Sequence, residues 1–452
     1  MQLTQLIHGN RLMARIMRSA SWVIVGYGTS QALRLASNLI LARILFPEAF
    51  GLMALITVVT IGLSLFSDVG ISPSISQSKR GDDPEFLDTA WTIQVIRGVI
   101  LTVITFLLAR PMAEFYDEPL LATYLPVAGL SLLVAGFIPT RVETATRHLM
   151  LGRLTGLDLT AQVIGLAVMI GLALLTGSVF ALVLGTVVQT IVRLILTSRY
   201  LPGHRNRLRW DKSSGQELIG FGKWIFLSTA FFFLSSQGDK AILGKYLSLS
   251  SLGIYNIGFF LANFPLALGM NLTHKLLIPI YRECPPWESA ENAAKISRMR
   301  HLITLLIMGM LAVMALSGPW LIGVLYDDRY ALAGGIVVLI SMAKMIQSIG
   351  LTYDNTALAA GNSRAFFVYT ASRATFQVTF LLIGVINFGL IGALIGLACA
   401  AMLTHPVLIW LSRKHRAWDP KHDLIWFGIL ICLATAVLWL NGGAIRALEQ
   451  MI

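Results

Sequence analysis

Apolar runs of about twenty residues recur along the whole chain, separated by short polar stretches. A helix of about 20 apolar residues crosses a hydrocarbon core of about 30 Å, so each run predicts a membrane-spanning helix. The first half contains spans at 20–45, 49–70, 90–112, 120–140, 154–176 and 178–200. The second half contains spans at 218–246, 252–280, 301–325, 331–353, 365–387 and 390–412, followed by one at 424–441. We therefore predict an all-α integral membrane protein with 12–14 transmembrane helices, and 13 by this pattern.

The two halves share a repeated sequence pattern. Residues 40–45 and 49–52 align without a gap with 242–247 and 251–254, an offset of 202 residues. Weaker matches continue at offsets of 209–212, as a duplication with small insertions produces. We predict two homologous six-helix lobes around a central cavity. The predicted boundaries are 1–205 for the first lobe, 206–217 for a basic cytoplasmic linker, 218–412 for the second lobe and 413–452 for an extra segment and tail.

The number of spans in each half predicts how the lobes are related. Six helices are an even number, so both halves begin on the same side of the membrane. The duplication is then parallel, with an axis along the membrane normal.

Composition and charge agree with a membrane protein and predict its orientation. Hydrophobic residues make up 56% of the chain and charged residues 13%, about half the share of charge in soluble domains. The net charge of +12 does not point to nucleic acid, because the basic residues fall in alternate loops. Of the lysines and arginines outside the spans, 22 lie in segments that we place inside, including Arg300 before the ninth span, and five lie outside or at outer helix ends. This asymmetry predicts a cytoplasmic amino terminus.

Charged residues inside the spans are the candidate site residues. Each costs at least about 2.5 kcal/mol at the bilayer centre, so it is expected to face a partner or a wet cavity. The basic residues, which we assign to substrate binding, are Arg34, Arg97, Arg193, Lys240, Lys344 and Arg373. The acidic residues, which we assign to coupling or gating, are Asp239, Asp158, Asp68 and Asp354. The cationic excess predicts an anionic substrate, such as a lipid diphosphate or an acidic sugar.

Structural explanations compete with these assignments. Arg193 and Asp158 lie near the predicted cytoplasmic interface, where long side chains reach towards water. Lys240 directly follows Asp239 and can simply neutralise it. Two of the other acidic residues lie near helix ends. The deeper basic residues have no carboxylate one helical turn away and are the better candidates for lining a cavity: Arg34, Arg97, Lys344 and Arg373.

Enzyme motifs are absent from the sequence. It contains no P-loop, no HExxH and no Gly-x-Ser-x-Gly, and its histidines have no metal-ligand spacing. We therefore predict a protein that is not an enzyme and needs no cofactor or metal. Of the histidines, His405 inside the twelfth span is the candidate for a proton relay.

Several short motifs resemble the polysaccharide (Wzx-type) flippases of the multidrug/oligosaccharidyl-lipid/polysaccharide exporter superfamily. They occur in order over essentially the whole chain, at 45–52, 67–71 with Gln77, 113–116, 221–222 and 239–253 with Tyr255. The resemblance implies two six-helix bundles around a central cavity, usually with two further helices. This chain departs from that pattern because only one extra span follows the second lobe.

The resemblance also implies a function. Such proteins move an undecaprenyl-diphosphate-linked oligosaccharide across the bacterial inner membrane by alternating access, in exopolysaccharide, O-antigen or capsule synthesis. The implied partners are the lipid-linked substrate, membrane lipid, H⁺ or Na⁺ as coupling ion, and polysaccharide polymerase and export proteins. Two alternatives stay open: a cation-coupled multidrug exporter of the same superfamily, and a membrane glycan polymerase or ligase. The first favours an acidic cavity and the second a large external loop, and the sequence predicts neither.

Overall fold

The computed structural model describes residues 11–283, 285–286, 288–354, 356–359 and 362–451, and all regular secondary structure in these ranges is helical. The first helices are α1 (Arg11–Ile44), α2 (Pro47–Phe66), α3 (Ile71–Gln77), α4 (Pro84–Phe115), α5 (Leu120–Gly136), α6 (Arg141–Arg147), α7 (Leu151–Thr176) and α8 (Phe180–Tyr200). They are followed by α9 (Lys212–Tyr246), α10 (Leu249–Glu283), α11 (Ala290–Leu325), α12 (Ala333–Gly350), α13 (Thr356–Ala359), α14 (Ser363–Lys414) and α15 (Pro420–Arg446). Short 3₁₀ helices span Asp328–Tyr330 and Ala447–Met451.

The helices confirm the predicted all-α membrane class. Within the described residues, nine helices are long and apolar enough to cross a membrane, or ten if the bent pair α5 and α6 forms one span. The chain is therefore a multi-pass membrane protein. One of the nine, α14, contains two of the predicted spans, and the total of thirteen spans stays a prediction.

A break inside α14 separates these two predicted spans. Phe388 and Gly389 have non-helical backbone angles, and Gly389 has φ 58° and ψ −146°, a conformation that glycine adopts readily. The two arms fold back against each other, since a methyl group on Gly384 or Gly392 would collide with the backbone of the other glycine. The interruption between the predicted spans 365–387 and 390–412 is therefore confirmed as a turn between two packed helices.

The chain divides into two compact units. The first unit comprises residues up to Leu45 together with Leu55–Ala230. In it α5 packs between α4 and α8, and α7 packs between α8 and α1. The residues after α8 run along the start of α4: the carboxylate of Asp88 is hydrogen-bonded to His204 Nε2 at 2.7 Å and accepts from the Arg207 backbone N–H at 2.9 Å. The basic segment is thereby fixed to α4.

The second unit comprises Phe46–Ala54 and Phe231–Ile452. Its centre is α12, which contacts α10, α11, α14 and α15. This helix is mostly apolar, and 15 of its 18 residues are buried. Because α12 is covered on all sides, its one lysine, Lys344, must face the interior of the unit.

Polar caps set the starts of three long helices. Asp83 accepts from the Glu85 N–H before α4, Ser289 accepts from the Asn292 N–H before α11, and Asp419 accepts from the His422 N–H before α15. Proline follows the cap in α4 and α15, where its missing N–H costs nothing. These caps place Asp419 and the residues after it beside the first turns of α11.

Candidate functional site

The interior of the second unit holds a cavity of about 50 Å³ that is lined by both apolar and charged side chains. Four of the predicted site residues line it, contributed by four different segments: Asp239, Lys344, Asp354 and Arg373. Asp239 lies on α9 and Lys344 on α12, while Asp354 follows α12 and Arg373 lies on α14. The cavity has room for a few water molecules but is far smaller than the roughly 300–1,000 Å³ of typical ligand pockets.

Asp239 is held by a tyrosine from the next helix. The Tyr255 hydroxyl donates to Asp239 Oδ2 at 2.5 Å, and both side chains are almost fully buried. Two lysine ammonium groups lie over the same aromatic ring near this pair, Lys240 at 5.2 Å and Lys344 at 5.6 Å from the centroid of Phe259. Phe259 therefore offers a cation–π surface to two of the predicted cationic residues.

Tyr369 stands between Asp354 and Arg373 and interacts with both. It lies one helical turn before Arg373 on α14, so the two side chains share a face. Three buried polar atoms of the cavity have no hydrogen-bond partner within the described chain: Asp239 Oδ1, Asp354 Oδ1 and Arg373 Nε. Such atoms are uncommon in protein interiors, and they make this cavity a candidate site for a polar ligand.

The first unit contains a second polar cavity, of about 240 Å³. Three predicted site residues line it, Asp68, Arg97 and Arg193. Arg97 donates from Nε to Ser67 Oγ at 2.8 Å and from Nη2 to the carbonyl of Ser64, so it ties α4 to the end of α2. Arg193 donates to Asp158 Oδ1 at 2.8 Å, and this pair is about 39% exposed.

Glu143 completes the lining of this cavity. It accepts a hydrogen bond from Ser72 at 2.5 Å and comes from the short helix α6. Glu143 was not predicted as a site residue because it lies in a polar stretch between two predicted spans. The one sequence feature that could have pointed to Glu143 is that it is a lone carboxylate among basic residues.

The charges of both cavity linings balance. The cavity of the second unit presents Lys344 and Arg373 against Asp239 and Asp354, and the larger cavity presents two arginines against Asp68 and Glu143. The cationic excess counted over the predicted spans is therefore not repeated among the lining residues. Arg34 lines neither cavity and is exposed in the first unit.

Arg300 corrects one placement made from the sequence. Arg300 was predicted to lie in a cytoplasmic segment before the ninth span, but it lies within α11 and is 2% exposed. Its guanidinium donates to Thr352 Oγ1 at 3.0 Å, to the Tyr281 hydroxyl at 3.1 Å and to the Ala417 carbonyl at 3.0 Å. It also lies 4.3 Å above the ring of Tyr353. Arg300 is thus a buried structural centre of the second unit.

Comparison with known proteins identifies the family. The family model described as polysaccharide biosynthesis protein matches residues 40–333, which is more than half of the chain. The chain belongs to this polysaccharide biosynthesis family. The resemblance predicted from the sequence motifs is confirmed.

Two bacterial proteins with similar sequences extend this result. The succinoglycan biosynthesis transport protein ExoT of Rhizobium meliloti (strain 1021) is 22% identical over 405 residues, covering 88% of this chain and 80% of that protein. The lipopolysaccharide biosynthesis protein WzxC of Escherichia coli (strain K12) is 21% identical over 396 residues, covering 85% and 78%. The solved structure of the lipid II flippase MurJ, in an inward closed conformation, matches with a TM-score of 0.69 and 13% identity over 94% of this chain and 98% of that one. The protein described by this structure therefore has a fold similar to that of MurJ.

Proposed function

We propose that this protein is a flippase that carries an undecaprenyl-diphosphate-linked oligosaccharide across the bacterial inner membrane by alternating access. The observation that carries the proposal is membership of the polysaccharide biosynthesis family across most of a multi-pass membrane chain. The product pathway is exopolysaccharide, O-antigen or capsule synthesis, with polymerase and export proteins acting on the delivered substrate. The protein acts as a transporter rather than an enzyme, and its amino terminus is cytoplasmic.

The balanced charges of the cavities suggest how an anionic cargo and a coupling cation assist each other. When Asp239 or Asp354 binds H⁺ or Na⁺, one of the two negative charges that balance Lys344 and Arg373 in this lining is neutralised. An anionic diphosphate or acidic sugar then replaces the lost negative charge. Cation binding and cargo binding therefore favour each other through electrostatics alone.

The same logic applies to the first unit. Asp68 and Asp158 are the coupling or gating carboxylates there, and Arg97 and Arg193 are the cationic groups released by their neutralisation. Arg34 and Lys240 complete the proposed cationic set. Because the cavity of the second unit has a volume of only about 50 Å³, it must widen before a diphosphate reaches Arg373.

The decisive experiment is transport of a defined probe by purified protein. Proteoliposomes carrying a nitrobenzoxadiazole-labelled polyprenyl-diphosphate disaccharide are treated with dithionite, which quenches only the outer leaflet. The wild-type protein is expected to expose the inner-leaflet probe to quenching, and an imposed H⁺ or Na⁺ gradient is expected to change the rate. Absence of probe movement, together with restored drug resistance in a drug-sensitive host, would replace the proposal with multidrug export.

Variants of Arg373 test the proposed role of the cavity. Arg373→Gln is expected to abolish surface polymer in cells that depend on this protein, while Arg373→Lys keeps part of the activity because the charge remains. Arg364→Gln is the matched control, since Arg364 lies near the start of the same helix and is exposed. Normal export by Arg373→Gln at normal membrane abundance would remove Arg373 from the mechanism.

A further inference from the structure

A buried carboxylate between two histidines lies beside the cavity of the second unit. Asp423, in the first turn of α15, is contacted by four side chains. Tyr353 and His422 contact Oδ1 at 2.8 and 3.1 Å, and Trp418 and His405 contact Oδ2 at 2.9 and 3.2 Å. A carboxylate with this many hydrogen-bonding neighbours is strongly stabilised in its ionised form.

The two histidines differ in what their second ring nitrogen faces. His422 is fully buried, and its Nε2 is hydrogen-bonded to the hydroxyl of Thr304 at 2.9 Å. With Nδ1 donating to Asp423, Nε2 accepts from Thr304, so both nitrogens of the neutral ring are satisfied. The ring of His301 lies 4.9 Å away, a further basic group that disfavours a charge on His422.

His405 has the opposite arrangement. Its Nε2 faces Asp423, and another part of the same side chain lines the cavity. The Nδ1 atom lies on the side of Gly350, 3.6 Å from where a methyl group on that glycine would sit, and Gly350 lines the same cavity. When Nε2 donates to Asp423, Nδ1 is left as a basic lone pair next to the cavity.

We propose that His405 is a proton-binding group of this cavity, with Asp423 as the positioning residue that fixes its tautomer and stabilises its cationic form. A proton taken up at Nδ1 converts a neutral imidazole into an imidazolium paired with the Asp423 carboxylate. The step forms one N–H bond and breaks none in the protein. It adds one positive charge to a cavity whose other charged groups balance: Asp239, Lys344, Asp354 and Arg373.

The groups that face this site from the surrounding helices are compatible with such a charge. Arg300 and Asp419 lie 3.9 Å apart on the far side of Tyr353, so they largely offset each other. The cavity lining also contains Asp354, which interacts electrostatically with His405, and Arg373, which Tyr369 links to Asp354. The Asp423 carboxylate therefore remains as the counter-charge of a protonated His405.

The consequence for transport rests on the proposed function. A protonated His405 makes the cavity net positive, so an anionic head group binds more tightly at acidic than at alkaline pH. Proton binding itself does not depend on transport and is measured on the ligand-free protein.

The test is an imidazole titration by nuclear magnetic resonance. Full-length protein in detergent micelles, labelled with ¹³C at the ring carbon of histidine, is recorded between pH 5 and 9. The His405 signal is assigned by its loss in His405→Gln, and in the wild type it is expected to titrate within this range. In Asp423→Asn the midpoint is expected to move to lower pH by about one unit, a tenfold weaker proton affinity, because the counter-charge is gone.

Two outcomes overturn the inference. The first is a wild-type His405 signal that does not move between pH 5 and 9, and the second is an unchanged midpoint in Asp423→Asn. If His405→Gln does not fold, the Asp423→Asn titration still decides, with the signal assigned by His405→Asn. Flipping of the labelled disaccharide probe at pH 6 and pH 8 then separates the two proposals. A titrating His405 with no flipping at either pH contradicts the flippase proposal alone, and flipping without a titrating His405 contradicts the proton site alone.

Discussion

Gly51 and Gly253 occupy equivalent positions in the two repeats, 202 residues apart, and they meet at the crossing of α2 and α10 within the second unit. A methyl group on Gly253 would overlap the carbonyl of Pro47, and a methyl group on Gly51 would overlap the carbonyl of Leu249. Pro47 and Leu249 are also 202 residues apart. The contact is therefore reciprocal, because the first residue of each helix packs against the glycine of the other.

This reciprocity makes a quantitative prediction. Gly51→Ala and Gly253→Ala are each expected to destabilise the protein by about 1–3 kcal/mol, because backbone atoms must move to admit the methyl group. The same separation of α2 and α10 makes room for both methyl groups. The double variant is therefore expected to lose less stability than the two single variants added together. Thermal unfolding of the detergent-solubilised protein measures all three changes.

The control for these variants is Gly309→Ala in α11. No atom lies within 4 Å of the position that its methyl group would occupy, so its stability is expected to stay the same or rise slightly. Fully additive costs at positions 51 and 253 would show that the two sites yield independently and would contradict a shared contact.

The positions of the helices could be predicted because a membrane span is recognised from the local sequence alone. The turn at 387–389 was predicted from a short interruption between two apolar runs, and the structure places the break at Phe388 and Gly389. The repeat was found in the same way, from matched short motifs. Its consequence, the meeting of Gly51 with Gly253, could not be predicted because it depends on which helices become neighbours.

The same limit applies to the charged residues. Arg300 follows a polar stretch and has the sequence features of a loop residue, yet its partners lie 19 to 117 residues away and bury it. Glu143 and Asp423 were missed for the same reason, since each is defined by groups on other helices. The interior position of residues deep in apolar runs, such as Lys344, could be predicted. The apolar sequence on both sides is too long for the charged group to reach water at a helix end.

Arg300 is expected to be essential for stability rather than for transport. Arg300→Met leaves the Tyr281 hydroxyl, Thr352 hydroxyl and Ala417 carbonyl without their donor, so the protein is expected to lose about 3–5 kcal/mol. Arg298→Met is the control, since Arg298 lies half a turn away on the same helix and is exposed. Fluorescence size-exclusion after a temperature ramp measures both variants, and equal midpoints would contradict the buried role of Arg300.

The loop before α4 is expected to be stabilised in a pH-dependent way by Asp82. A hydrogen bond from His148, with a smaller contribution from the charge of Arg147, lowers the pKa of Asp82 below its ordinary value. A carboxyl group with a lowered pKa in the folded state stabilises that state above the ordinary pKa, and this contribution disappears as the pH falls through the folded value. Because Asp82 is 51% exposed, the contribution is at most about 1 kcal/mol.

Hydrogen exchange of residues 78–83 measures this effect. Asp82→Asn is expected to speed exchange relative to the wild type at pH 7, and the difference is expected to vanish near pH 3. The exposed Asp328 begins a 3₁₀ helix elsewhere in the chain, so Asp328→Asn is expected to leave the exchange of residues 78–83 unchanged. A difference that persists unchanged at low pH would mean that the ionised carboxylate is not what holds the loop.

Tyr255 is expected to hold the carboxylate of Asp239 in place. Its hydroxyl is the hydrogen-bond donor to Asp239 Oδ2, and Oδ1 has no partner within the described chain. Tyr255→Phe therefore removes this hydrogen bond from the carboxylate while leaving the packing of the ring in place. If Asp239 is a coupling group, Tyr255→Phe should reduce polymer export as Asp239→Asn does, at normal membrane abundance. Tyr246→Phe, at an exposed tyrosine of α9, should export normally, whereas full export by both Tyr255→Phe and Asp239→Asn would exclude this pair from coupling.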